Sequence, residues 1–135
     1  MNEGYFLNVR SRSWSQQKLA NIVLLGENMK KLIILRGNSG SGKSTIAKEL
    51  QKQFGNNTML ISQDMIRREV LKVKDGENTL AIPLMKNLLT YGKEHSEIVI
   101  LEGIMYADWY RPLFELAIQL YDTRIYAYYF DLPFE

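Results

Sequence analysis

Cysteine is absent from the 135-residue chain. No disulfide framework and no thiolate metal site is therefore open to it, and the absence fits a cytoplasmic protein. Histidine occurs once, as His95 beside Glu94 near the end of a helical stretch, where a solvated residue of the last turn is expected. No apolar stretch approaches the ~20 residues of a membrane span. No basic start leads into an apolar core, so no secretory signal is expected. Excess charge is small: 17 Lys and Arg stand against 15 Asp and Glu, a net charge of +2, and the basic residues form no run. That balance carries no signal for nucleic acid or for an anionic membrane. Repeats and low-complexity tracts are missing too. The remaining composition, 46% hydrophobic and 24% charged, is that of one globular domain long enough to bury a core.

Two regimes meet near Met29. Residues 1–28 are polar and aperiodic as far as Asn21, and a short apolar patch, Ile22 to Leu25, follows. From Lys30 onward strand-like and helix-like segments alternate. The apolar runs Lys31 to Arg36, Thr58 to Ser62, Glu97 to Leu101 and Arg124 to Phe130 read as strands. Ser44 to Phe54, Met65 to about Lys72, Thr79 to His95 and Tyr110 to Tyr121 read as helices, with Gly55 a stop and Pro83 in a first turn. Asp75-Gly76 reads as a turn. Such alternation predicts an α/β domain, a parallel sheet with helices on both faces. We expect residues 29–135 to be the folded core and residues 1–28 a poorly ordered extension, with Met29 the natural start. Gly26-Glu27 is encodable by a purine-rich ribosome-binding sequence just upstream of that methionine. The alternative is a genuine extension, with Ile22 to Leu25 packed on the sheet or on a partner.

The first strand runs into Gly37-Asn38-Ser39-Gly40-Ser41-Gly42-Lys43-Ser44-Thr45. This fits the phosphate-loop (Walker A) pattern at every fixed position, between a strand and a helix as the pattern requires. By chance such a match is expected in well under ~1% of chains this long. A triphosphate must be met by several backbone N–H groups at once, and side chains would hold it off. Glycines at 37, 40 and 42 permit the turns and the close approach. The following helix adds its positive end. Lys43 supplies a point charge for the β- and γ-phosphates, and Ser44 a hydroxyl for Mg²⁺, which prefers oxygen ligands. Nothing like the base-reading motif of GTPases is present, which favours ATP.

Ligands of an open parallel sheet sit beyond the carboxyl ends of its strands. Asp64, Glu102 and Asp131 fall there, Asp131 in what looks like a turn. In Ser62-Gln63-Asp64-Met65-Ile66-Arg67-Arg68-Glu69, a helix starting at Asp64 puts positions 64 and 67 on one face. A carboxylate there is able to take the proton of an attacking hydroxyl, and an arginine to hold a phosphate. Asp64 would also serve as a helix cap, and Arg68 competes with Arg67. Glu102-Gly103 stands where nucleotide-binding sheets place the acid that orients Mg²⁺, or is an ordinary strand end. Tyr106, Trp109 and Tyr110 read as local packing or as the lining of a substrate pocket.

On Gly37 to Thr45, Ser62-Gln63-Asp64-x-x-Arg67, Glu102-Gly103 and Tyr129 to Glu135, the chain from Lys30 onward resembles the small P-loop kinases. These include polynucleotide 5′-kinases, zeta-toxin-type kinases and antibiotic phosphotransferases. The resemblance implies a three-layer P-loop NTPase fold and ATP-dependent transfer to a hydroxyl of a small molecule or nucleotide. In that family the aspartate matching Asp64 is the general base, and the arginine matching Arg67 grips the acceptor side. The implied set is Lys43, Asp64 and Arg67 for catalysis, Gly37 to Thr45 for nucleotide, and Ser44 and Glu102 for Mg²⁺. Such kinases continue into a further helix, an arginine-bearing lid and a fifth strand. We therefore expect a sheet incomplete at its C-terminal edge, and self-association there. The rival readings are a nucleotide-binding module without turnover and an ATPase that drives a partner.

Overall fold

The computed structural model describes residues 7–9, 30–38 and 42–131. Its strands are β1 (Leu7–Val9), β2 (Lys31–Gly37), β3 (Thr58–Ser62), β4 (Ile98–Gly103) and β5 (Ile125–Phe130). Helices α1 (Lys43–Phe54), α3 (Ala81–His95) and α4 (Arg111–Tyr121) are regular. Helix α2 opens with an α turn, Gln63–Met65, and widens into a π turn, Ile66–Leu71. Every strand pair is parallel, in the order β1-β5-β2-β4-β3.

The order explains the layers. From β2 to β3 the chain crosses the sheet one way, and from β3 to β4 and β4 to β5 it returns. Right-handed crossovers then put α1 on one face and the later helices on the other. The two cores follow this division. Ala47 and Leu50 of α1 pack on Ile33, Leu35, Ile100 and Phe130. Met85 and Leu89 of α3, with Leu113, Phe114 and Ala117 of α4, pack on Leu32, Ile34, Val99 and Leu101. Residues Leu32 to Leu35 are covered on both sides and wholly buried. A central parallel strand therefore reads as a continuous apolar run, not an alternating one.

The expected α/β alternation and parallel sheet are found, with three changes of detail. Strand β4 runs on through Glu102 and Gly103, so the acid lies within the last turn of pairing, opposite Ser62 and Leu35. Helix α2 begins at Gln63, and Ser62 caps it, its Oγ accepting from Met65 N at 3.4 Å. Asp64 is thus free of the capping role. The third change concerns the extension. Leu7–Val9 pairs with β5 in register Leu7↔Tyr128, so three of the first 28 residues do enter the sheet, and over that length the β5 edge is not bare. A strand edge offers unpaired N–H and C=O groups to any segment that reaches it, and no local pattern in the sequence announces that pairing. Ile22 to Leu25 and Leu132 to Glu135 lie outside the described residues.

Candidate active site

β2 delivers the phosphate loop at its carboxyl end. The backbone turns at Gly37, where a Cβ would stand 2.2 Å from the carbonyl oxygen of Phe130. Asn38 N donates to that same oxygen at 3.2 Å, which holds the start of the loop against the end of β5. Asn38 Nδ2 also reaches Asp131 Oδ1 at 3.3 Å, so Asp131 borders the loop. Ser39, Gly40 and Ser41 lie outside the described residues. The loop closes at Gly42, whose φ of 88° is the left-handed N-cap of α1.

Lys43 is the first residue of α1 and is only 7% exposed. Its Nζ folds back to donate to Asn38 O at 3.0 Å. Burial lowers its pKa from the usual lysine value, while the charges of Glu102 and Asp64 oppose the shift. Ser44 Oγ donates to Glu102 Oε1 at 3.2 Å. Glu102 is 3% exposed, a buried carboxylate brought to the helix start by its place on β4. Thr45 is exposed on α1. These groups fit a phosphate-bound Mg²⁺. A hydroxyl and a carboxylate, both hard oxygen donors, meet where the helix starts, and a lysine lies beside them. Magnesium takes its remaining ligands from phosphate and water, so it needs no cage of side chains. Among the described residues no group of three or more His, Cys, Asp or Glu forms such a cage.

Asp64 stands on the other side of this rim. Ser62 pairs with Glu102 across β3 and β4, and the first turn of α2 carries Asp64 out from that point. Arg67 Nη2 lies 3.3 Å and Arg68 Nε 3.0 Å from the same Asp64 oxygen. Both arginines thus pair with Asp64, at spacings i+3 and i+4 on one helix. The Arg67 side chain is the more buried of the two. Its Nε is enclosed and has no hydrogen-bond partner. A cavity of about 430 Å³ joins the two sides, lined by Lys43, Ser44, Asp64, Arg67, Glu102 and Tyr106 among others. The structure thus brings together in one polar cleft the candidates drawn from three distant segments. His95 is remote, at the end of α3 on the opposite rim, exposed and 3.6 Å from Glu94.

Polar residues with no role assigned from the sequence also stand in this region. Gln63 and Asp75 line the cavity, and both are bonded to Tyr110, for which the sequence leaves open packing or the lining of a substrate pocket. Arg36 ends β2 nearly buried, with Nε on Met105 O at 2.8 Å and its guanidinium against the rings of Phe114 and Tyr129. The available signal for Arg36 is a charge closing an otherwise apolar central strand. Asp75 has no comparable signal, because Asp-Gly is an ordinary turn pair. Tyr106 is exposed at the cavity wall, edge-on to Trp109 at 4.9 Å.

A family model described as an AAA domain matches residues 32–134. That span contains every candidate described above. No curated protein matches the chain.

Proposed function

The chain belongs to this AAA domain family of P-loop nucleotide-binding proteins, and from that premise we propose that it is a kinase. In this reading it moves the γ-phosphate of Mg-ATP to a hydroxyl of a small molecule or nucleotide. One observation carries the reading beyond nucleotide binding: Asp64 shares a single cleft with Lys43, Ser44 and Glu102. A carboxylate held across a cleft from a phosphate loop, with room between, is what transfer to a hydroxyl requires.

Lys43 exchanges its bond to Asn38 O for the β- and γ-phosphate oxygens. Ser44 and Glu102 would hold Mg²⁺, which when bound neutralises phosphate charge. The acceptor hydroxyl is oriented by Asp64, which takes its proton as the new O–P bond forms. The bond from phosphorus to the bridging oxygen breaks, and ADP leaves with that electron pair. Arg67 and Arg68 hold Asp64 in the cleft. Such catalysis consists mainly of positioning and charge stabilisation.

The test is ADP release from Mg-ATP, with and without a panel of hydroxyl acceptors that includes nucleosides, oligonucleotides and sugars. A kinase releases ADP faster when its acceptor is added, and the γ-phosphate appears on that acceptor. Release unaffected by every acceptor but raised by a partner protein identifies an ATPase. Tight binding without release under either condition identifies a nucleotide-binding module.

A further inference from the structure

Behind the cleft runs a hydrogen-bonded chain of three side chains from three elements. Gln63, the first residue of α2, donates from Nε2 to Tyr110 Oη at 2.8 Å. Tyr110, the residue that opens α4, donates from Oη to Asp75 Oδ1 at 2.6 Å. The direction is fixed, because the tyrosine oxygen already accepts from the amide and has one proton to give. Gln63 is 3% exposed and Tyr110 wholly buried, whereas Asp75 lies in the exposed loop that follows the π turn. Burial first, then the bond to Asp75, raises the phenol pKa, so the donating proton stays in place.

We propose that Tyr110 is a positioning residue for the acceptor side of the site, holding Asp64 through Gln63 and the cavity wall through Asp75. The proposal rests on the reading of Asp64 as the proton acceptor. Its geometry has three parts. Tyr110 sits at the head of a helix whose Leu113, Phe114 and Ala117 are wholly buried, so it is a fixed point. Gln63 is adjacent to Asp64 in the chain and is pressed against β4: a Cβ on Gly103 would lie 2.6 Å from Gln63 Cβ. One glutamine therefore sets the distance between the segment carrying Asp64 and the segment carrying Glu102. Asp75 belongs to a stretch without regular structure, and Gly76 N joins Tyr110 in bonding its Oδ1, at 2.9 Å.

A core position needs only the ring. Burying a hydroxyl and an amide there is costly unless both are satisfied, and here they are satisfied by groups that line the cleft. A short bond to a carboxylate is of the stronger kind. The π turn that begins two residues after Asp64 makes an external hold useful, since π turns are irregular and common at functional sites.

The experiment is amide hydrogen exchange on the full chain, wild type beside Tyr110→Phe, Asp75→Ala and Asp75→Asn, with Mg-ATP affinity measured on each. Tyr110→Phe should speed exchange at least ~10-fold in both 63–71 and 73–78, and Asp75→Ala by a similar factor in 73–78. The strands and α4 should be unchanged, and Mg-ATP affinity should stay within about twofold, since neither group belongs to the phosphate loop. Asp75→Asn keeps an oxygen that accepts the phenol proton, and should retain most of the protection. With an acceptor in hand, Tyr110→Phe should lower kcat and leave KM for ATP alone. Unchanged exchange in either segment, or a rise spread evenly over the chain, overturns the proposal. If the phenylalanine variant does not fold, Asp75→Ala reads the loop's half of the hold from the surface. A wild type that turns over no acceptor contradicts the kinase reading, and the exchange pattern still decides whether the hold exists.

Discussion

At the residue scale the site is built on groups that cost stability. Lys43 is a nearly buried ammonium whose pKa burial lowers. The folded chain then releases this proton at a lower pH than the unfolded chain does. Just below the ordinary lysine range the unfolded state holds more of the proton, so this residue's contribution to stability rises as pH rises through that window. Below that window its charge therefore costs stability, and the proposed contact with the phosphates would give that charge a use. Replacing Lys43 by Met keeps the volume and removes the charge. Calorimetric titration should show Mg-ATP affinity reduced by ~10- to ~100-fold or more. A thermal melt should show no loss of stability. Retained affinity would remove Lys43 from the phosphate site, and a collapsed melt would make it structural.

At the element scale the packing of α3 on the sheet depends on one glycine. A Cβ at Gly92 would meet Val99 Cγ2 at 2.6 Å and Met59 Sδ at 2.8 Å. Gly92→Ala gains about 1 kcal/mol of helix propensity, but overpacking against a buried strand costs about 1–3 kcal/mol. We expect a net loss, seen as a lower denaturant midpoint at unchanged slope. A gain would mean that α3 has room to retreat. Elements of this kind were legible in the sequence, because Lys31 to Arg36, Thr58 to Ser62, Glu97 to Leu101 and Arg124 to Phe130 are each apolar enough to need burial wherever they go. The loop and the rim acids were legible for a related reason: parallel topology sends every strand end to one side. What the sequence hid depends on contacts between distant segments. Widening of α2 into a π turn, the bond from Tyr110 to Asp75, and the pairing of Leu7–Val9 with β5 have no local pattern behind them. Arg67 against Arg68 was undecidable because both spacings reach Asp64.

At the scale of the whole molecule, the sheet separates two concerns. The cleft lies at the carboxyl ends of β2, β3 and β4, while β1 lies beyond β5 at the far edge. Lys30 already ties the core together, its Nζ bonded to the carbonyls of Lys93 and Glu94 at the end of α3. A chain starting at Met29 should accordingly bind Mg-ATP within about twofold of the full chain, since distant sites act independently. It should also self-associate more in light scattering, because the β5 edge loses its cover. Lost binding would place part of the site in residues 1–28, and unchanged scattering would make β1 dispensable as an edge strand. The central claim is that Asp64 accepts the proton of an acceptor hydroxyl across the cleft from a bound triphosphate. The most direct test is the rate of ADP release at saturating Mg-ATP and saturating acceptor, in the Asp64→Asn chain beside the wild type. The amide keeps the shape and cannot take a proton, so the rate should fall ~100- to ~10,000-fold while Mg-ATP affinity is kept. An unchanged rate would rule out Asp64 as the proton acceptor and leave it a structural partner of Arg67 and Arg68.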